Sequence, residues 1–319
     1  MRAADATAKP RITVRLASPR GFCAGVERAI RTVEEALALH GAPVYVRHEI
    51  VHNRHVVARL SAMGAIFIES LADVPGDRPV VFSAHGAPQS AHDEAATRAL
   101  IKIDATCPLV QKVHSQIRRY AAADKTTILI GHANHPEVIG AMGQARDGAV
   151  VLVESLADIA ALPDFAGPLA YATQTTLSVD ETGAMIAALK ARYPAIAGPA
   201  REDICYATSN RQQAVKAAAR HTDLFLVIGS PTSSNSVRLV ETARAAGAAN
   251  AALLEDASAA DWALIDEAQT IGLSAGASAP ESLVEEFLTA LAARRTVRVE
   301  TIETAREDVV FNTPLRLAS

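Results

Sequence analysis

Short apolar runs of β type alternate with amphipathic stretches from end to end of the chain. Ile12-Thr13-Val14, Val44-Tyr45-Val46, Val80-Val81-Phe82, Thr127-Ile128-Leu129-Ile130, Leu224-Phe225-Leu226-Val227-Ile228 and Thr270-Ile271-Gly272-Leu273 are each short, rich in branched residues and bounded by turn-forming sequence, which predicts buried strands. Between them the period changes. Val26, Ile30, Val33 and Leu37 share one face of a segment ending at Gly41, and Leu283, Val284, Phe287, Leu288 and Leu291 do the same after Pro280, which predicts two amphipathic helices. The alternation is that of an α/β protein with mainly parallel sheets. Pro163 to Pro168 and Pro194 to Pro199 read as surface connections. The Ala-rich stretches Ala245 to Ala252 and Ala257 to Ala263 read as helix and small-residue packing, with Trp262 at a core or its edge.

A longer spacing lies above this one. Cys23, Cys107 and Cys205, the three cysteines of the chain, are 84 and 98 residues apart, which predicts three similar units. Each follows an extended run and opens a helical pattern: Phe22-Cys23-Ala24-Gly25-Val26, Thr106-Cys107-Pro108-Leu109-Val110 and Ile204-Cys205-Tyr206-Ala207-Thr208. A sulfur at a helix N-terminus meets unsatisfied amides and the positive end of the dipole, which favour the thiolate that a metal requires. One such cysteine is most simply a small buried core residue; three in the same setting point to a shared task.

Composition narrows the partners. The chain has 319 residues, half of them hydrophobic, enough for two or three compact units. With 31 basic against 35 acidic side chains there is no field to suggest nucleic acid or an anionic membrane as a partner. Met1 to Pro10 is polar with no signal-like apolar core, and no apolar run reaches the roughly 18 residues of a spanning helix. The expectation is a cytoplasmic protein, whose cysteines stay out of disulfides, acting on a small ligand.

The predicted strands run into polar turns, where an open α/β sheet places its ligand crevice. These are Glu49-Ile50-Val51-His52-Asn53, Ser83-Ala84-His85-Gly86, Gly131-His132-Ala133-Asn134-His135-Pro136-Glu137, Thr173-Gln174-Thr175-Thr176, the run Gly229 to Ser236, and Ser274-Ala275-Gly276-Ala277-Ser278. Histidines, hydroxyls and helix-start amides can hold a diphosphate without a fixed cationic clamp, and a histidine facing an anion tends to take up a proton. No Walker loop or Gly-x-Gly-x-x-Gly fingerprint occurs, which disfavours a nucleotide. Plainer roles compete. Ser278 with Glu281, and Ser178 with Glu181, fit capping boxes; Ser233-Ser234-Asn235 fits a loop and cap; His40, His48, His55, His92, His114, His132 and His221 read as structural. Glu137, two residues after His135 in its loop, is placed to handle a proton.

Taken together, Pro19 to Val26, Val51-His52-Asn53, Ser83 to Gly86, Asp104 to Pro108, His135-Pro136-Glu137, Thr173 to Thr176, Cys205 to Thr208, Ser233-Ser234-Asn235 and Ala275 to Pro280 resemble, in order, the signature segments of the 4-hydroxy-3-methylbut-2-enyl diphosphate reductase family (IspH/LytB). The resemblance runs from Ile12 to Arg295. It implies an oxidoreductase of the methylerythritol phosphate route, removing an allylic hydroxyl reductively to give isopentenyl and dimethylallyl diphosphates. It implies three α/β domains in pseudo-threefold arrangement around a central cluster cavity: 25–107, 108–204, and 11–24 with 205–295, followed by a tail, 296–319. It implies one 4Fe–4S cluster on Cys23, Cys107 and Cys205, three thiolates leaving one iron open. His52, His85, His135, Ser233, Ser234, Asn235 and Ser278 match the substrate-binding set, Glu137 the proton-delivering acid, Thr175 a residue beside the substrate hydroxyl, and a flavodoxin or ferredoxin is the implied electron donor. The polar start before Ile12 and the tail, with strand-like Val297-Arg298-Val299 and Val309-Val310-Phe311, depart from those segments. Two other readings stand beside this one: a hydrolase or lyase with zinc on the three cysteines, although no close Cys-x-x-Cys pair occurs, and a non-catalytic cluster-based sensor, in which Glu137 would be superfluous.

Overall fold

The computed structural model describes residues 9–314; residues 1–8 of the polar start and 315–319 of the tail lie outside the described residues. The first part of the chain forms β1 (Arg11–Ser18), α1 (Ala24–His40), β2 (Val44–Arg47), α2 (Arg54–Ala62), β3 (Ala65–Ile68), β4 (Pro79–Phe82), α3 (Gln89–Thr97) and β5 (Ile101–Asp104). The middle forms α4 (Pro108–Ala122), β6 (Thr126–Ile130), α5 (Pro136–Met142), β7 (Val150–Val153), α6 (Leu156–Ala161), β8 (Leu169–Thr173) and α7 (Val179–Arg192). The last part forms α8 (Tyr206–Ala219), β9 (Leu224–Ile228), α9 (Ser234–Ala245), β10 (Asn250–Leu254), α10 (Trp262–Glu267), β11 (Thr270–Ala275), α11 (Glu281–Arg294) and β12 (Thr296–Glu303).

The strands make three all-parallel sheets, in the orders β10-β9-β11-β1-β12, β3-β2-β4-β5 and β7-β6-β8, and the α/β expectation holds. By packing, the chain divides into two compact units. One comprises residues 1–22 and 209–308, the other 23–208 and 309–319.

In the first of these, the five-stranded sheet is covered on both faces. Leu224, Leu226 and Ile228 of β9 join Ile12, Val14, Phe287 and Leu291 in one core, while the alternate residues Phe225 and Val227 pack with Leu239 and Val240 in a second. That period of two is why β9 reads as an unbroken apolar run. Trp262 stacks on Phe287 at 5.9 Å at the edge of the first core. β12 pairs with β1 alone and its side chains are mostly exposed, so the first strand-like run of the tail is an edge strand. The second, Val309 to Phe311, is neither helix nor strand. The Ala-rich reading is corrected here: α9 stops at Ala245, residues 250–254 are strand, and the next stretch is a short 3-10 turn before α10. Alanine fits a helix and a crowded sheet interior alike, and packing decided between them.

The other unit holds the four- and three-stranded sheets. Val80 and Phe82 of β4 anchor one core with Leu71 and Ala91, and β6 sends Ile128 and Ile130 to one face and Leu129 to the other.

Gly272 marks the tightest point of the first unit's sheet: a Cβ there would lie 2.1 Å from a ring carbon of Phe225, itself fully buried. Gly272→Ala is expected to lower stability by about 1–3 kcal/mol, the usual cost of overpacking a filled core; an unchanged thermal melt would show that the ring has room to move.

Candidate functional site

Apart from Cys205, which follows α7, the residues singled out from the sequence for chemistry lie past the carboxyl ends of parallel strands. His52 follows β2, His85 follows β4, Cys107 follows β5, His135 and Glu137 follow β6, and Thr175 follows β8, all in the unit built from residues 23–208 and 309–319. At these ends the chain must turn from strand into helix, and unpaired amides collect there.

The cysteines open helices as expected. Cys23 is the N-cap of α1, Cys107 the N-cap of α4, and Cys205 stands directly before α8. The sulfurs of Cys23 and Cys107 are brought together. A Cβ on Gly25 would fall 2.7 Å from the Cys107 sulfur and 3.8 Å from that of Cys23, so glycine keeps open the space between them. Backbone bonds tie the cysteines to the rest of the site: Cys107 N–H donates to the Ala84 carbonyl at 3.0 Å, and Cys205 N–H to the Thr175 carbonyl at 3.1 Å. For Cys107 and Cys205, the expectation that the helix starts by themselves favour the thiolate is corrected. Burial pushes the Cys107 thiol up to about 12, with Cys23 and then Cys205 adding repulsion that the amides of Leu109 and Val110 only partly offset. Cys205 is pushed up to about 11, again by burial first and by Cys23 next, against hydrogen bonds from Thr208. Desolvation and mutual repulsion outweigh the helix ends, so the protein alone holds protons on sulfurs that a cation would displace. Among the described residues no group of His, Cys, Asp and Glu is arranged to hold a metal ion.

Three histidines form a second cluster in the same unit. His52 stacks on His85 with ring centroids 4.2 Å apart, and His135 meets both edge-on at 5.5 and 5.9 Å. Asn53 caps α2 by accepting from the amides of His55 and Val56, which fixes the turn carrying His52. Gly86, at φ +80°, turns the chain after His85, and a Cβ there would meet the His114 ring at 2.6 Å. His135 caps α5, its Nδ1 accepting from Glu137 N–H at 3.1 Å, so Nε2 carries the proton and can donate while the ring stays neutral. Burial, followed by His52 and His132, lowers His135 to about 4; burial also takes His85 well below its usual value, reinforced by His52 and His135. Without an anion these two rings are neutral. For His135, proton uptake is not needed to offer a donor.

Glu137 is buried beside this cluster's α5 turn. Its two carboxyl oxygens accept from Thr175 N–H at 2.7 Å and from Thr175 Oγ1 at 3.1 Å. Burial raises the carboxyl to about 7; the Thr175 bonds oppose the shift, and Asp203 adds to it. Asp203 in turn accepts from Lys112, Gln116 and the Thr173 amide, joining α4 to the segment before Cys205.

Ser233, Ser234, Asn235 and Ser278 belong to the other unit, past β9 and β11. Ser233 caps α9 by accepting from Ser236 N–H. Ser236 and Ser278 both direct hydroxyls to Ser233 Oγ, at 3.1 and 3.5 Å, and Asn235 Oδ1 accepts from Ala277 N–H at 2.9 Å. The buried Asn235 Nδ2 has no hydrogen-bond partner, a donor held ready for an acceptor. The capping-box alternative for Ser278 fails: Pro280 is the N-cap of α11 and no side chain caps it. Ser178 does cap α7.

The model of the LytB protein family matches residues 14–292. The chain belongs to the LytB family. It is 58% identical over 313 residues to the 4-hydroxy-3-methylbut-2-enyl diphosphate reductase of Hyphomonas neptunium, covering 98% of this chain and 99% of that protein. To the reductase of the same name from Paracoccus denitrificans it is 57% identical over 307 residues, 96% and 97% of the two chains. A solved structure titled as the E-1-hydroxy-2-methyl-but-2-enyl-4-diphosphate reductase of Plasmodium falciparum superimposes with a TM-score of 0.91 at 38% identity, covering 98% of this chain and 97% of that one.

Within this LytB chain, sequence reasoning missed Gly25, Asp203 and Ser236. Gly25 and Ser236 lay inside quoted motifs, but their importance is a matter of clearance: a Cβ on Gly229 or Gly276 would fall 2.3 or 2.0 Å from Ser236 Oγ. Asp203 carried no signal beyond its closeness to Cys205.

Glu137 gives a pH test in the cluster-free chain. Its folded value lies above the ordinary 4.5, so its contribution to stability is full below about 4.5 and lost as pH rises through about 7, amounting to up to about 3 kcal/mol. His114 and His135, both lowered to about 4, work the other way, losing stability as pH falls from 6.5. The Glu137 share is therefore the difference between the native chain and Glu137→Gln in denaturant melts across pH 4 to 8. Parallel curves would show an ordinary carboxylate.

Proposed function

We propose that this LytB-family chain is a cytoplasmic 4-hydroxy-3-methylbut-2-enyl diphosphate reductase that holds one 4Fe–4S cluster on Cys23, Cys107 and Cys205. The single observation that carries the reading is a buried carboxyl near neutrality, Glu137, hydrogen-bonded to Thr175, whose carbonyl also anchors the Cys205 amide. A proton donor is thereby tied to the segment that carries a thiolate. A sensor has no use for it.

The reaction breaks the allylic C–O bond, consumes two electrons and two protons, and releases water and a diphosphate of isopentenyl or dimethylallyl type. When bound, the cluster supplies the electrons and a Lewis-acidic iron left without a protein ligand. The chain's own residues do the rest. Glu137, half-protonated near pH 7, gives the proton that turns hydroxide into a better leaving group, and Thr175 Oγ1 orients that carboxyl. His52, His85 and His135 bind diphosphate oxygens, His135 through Nε2–H, as do Ser233, Ser234, Asn235 and Ser278. The neutrality of the empty histidine pair leaves the pocket receptive: an arriving anion stabilises the imidazolium form. The domain boundaries 25–107, 108–204 and 11–24 with 205–295, and a flavodoxin or ferredoxin as electron donor, belong to the same proposal. Among the described residues no helix is long and apolar enough to cross a membrane.

Anaerobic preparation is expected to yield about four irons and four sulfides per chain and reductive turnover of the hydroxylated allylic diphosphate; zinc without sulfide would end the reading. Glu137→Gln should keep the cluster and diphosphate affinity while turnover falls by roughly 100-fold or more, and near-normal turnover would refute the proton role. Alanine at His52, His85 or His135 is expected to weaken diphosphate binding by about 1.5–3 kcal/mol each, read by calorimetry with the product diphosphate.

A further inference from the structure

Residues 304–313, past β12, form no helix or strand, yet their polar groups meet two buried arginines. In the unit comprising residues 1–22 and 209–308, Arg211 of α8 is fully buried. Its Nε and Nη2 donate to the Gly21 carbonyl at 3.0 and 2.7 Å, and Nη2 to the Phe22 carbonyl at 3.0 Å. On its other side Nη1 donates to both carboxylate oxygens of Glu307, at 3.0 and 3.1 Å, and Asn210 donates to the same carboxylate at 3.0 Å.

The unit comprising residues 23–208 and 309–319 repeats the arrangement. Arg28 of α1 is buried and donates through Nη1 to the Thr106 carbonyl at 3.0 Å and through Nε to the Asn312 carbonyl at 2.8 Å. Arg31 donates to the Phe311 carbonyl at 2.6 Å, and the Thr313 hydroxyl to Glu35. In each unit one planar guanidinium joins a tail group to the carbonyl immediately before a cysteine: Phe22 before Cys23, Thr106 before Cys107. Guanidinium stays charged in proteins, so a buried one that loses part of its acceptors must move or admit water, and the carbonyl it held would move with it.

We infer that residues 304–313 act as a clamp, occupying Arg211 and Arg28 so that the turns before Cys23 and Cys107 hold those thiolates in the directions the cluster needs. The inference rests on the cluster reading above. Arg211, Arg28 and Glu307 are thus positioning residues, acting through the backbone of the ligands.

Full-length chains carrying Glu307→Ala, Arg28→Lys or both, with Arg306→Gln as a control on the same tail, would be reconstituted anaerobically. Far-UV circular dichroism checks folding; iron and sulfide content, the rate of iron loss to a ferrous chelator, the electron paramagnetic resonance of the reduced cluster and its midpoint potential are the readouts. Each clamp variant is expected to lose iron roughly 10-fold faster than the native chain, the range seen when outer-shell partners of a metal site are removed. The two effects should multiply in the double variant, because they act on different cysteines. The resonance spectrum should change in each, and Arg306→Gln should match the native chain. Folded clamp variants with native iron retention, spectrum and potential overturn the inference while leaving the cluster reading intact. A native chain that takes up no iron and sulfide overturns both. If Glu307→Ala does not fold, Glu307→Gln, which keeps the shape and one acceptor, is read in its place, and native behaviour there counts against the clamp.

Discussion

The thiols of Cys107 and Cys205 carry a standing electrostatic cost, and the backbone around the site is arranged to hold them in place despite it. Ionising Cys107 or Cys205 in the empty protein is opposed first by lost hydration and then by the neighbouring sulfurs. The helix N-termini at which the cysteines sit reduce that cost without cancelling it. The chain by itself supplies no charge at the site that offsets this cost. Holding the cysteines still falls to the backbone: the bonds from Cys107 to Ala84 and from Cys205 to Thr175, and the arginines that grip the turns ahead of Cys23 and Cys107.

The same low-polarity setting explains the acid and the bases around it. Glu137 is raised and His85 and His135 are lowered for one reason, the loss of water. All three are pushed toward their neutral forms. The cluster of Ser233, Ser236, Asn235 and Ser278 in the other unit is made of uncharged groups, with a buried amide donor left open. No lysine is committed to the predicted binding set, in keeping with a chain whose basic and acidic residues nearly balance.

The sheets were legible in the sequence to the extent that their strands are buried on both faces. β4, β6, β9 and β11 read clearly because they are buried on both sides, and β1 and β2 because Ile12, Val14, Leu16 and Val44, Val46 fill one face. β5, with Lys102, and the Ala-rich β10 were obscured because an edge strand tolerates charge and alanine suits either element, whereas the edge strand β12 was read only in part, from Val297 to Val299. Ser278 shows the limit of a local pattern: its spacing to Glu281 copies a cap, but Pro280 begins the helix and Ser278 turns to Ser233, 45 residues away in the chain. Asp203, Arg28 and Arg211 have no signature, since their partners are backbone carbonyls, amides and side chains that only folding brings near.

The sequence by itself determined the α/β class, the family, and the placing of three cysteines at helix starts and of the polar residues at strand ends, because each follows from neighbours a few positions away and from local rules of strand and helix termination. The protonation of the cysteines, Glu137 and the histidines, the stacking of His52 on His85, and the engagement of the tail with the cysteine turns were decided by the tertiary structure. These depend on how much water each group has lost and on which distant charge or carbonyl replaces it, and neither quantity is written in any local stretch of the chain.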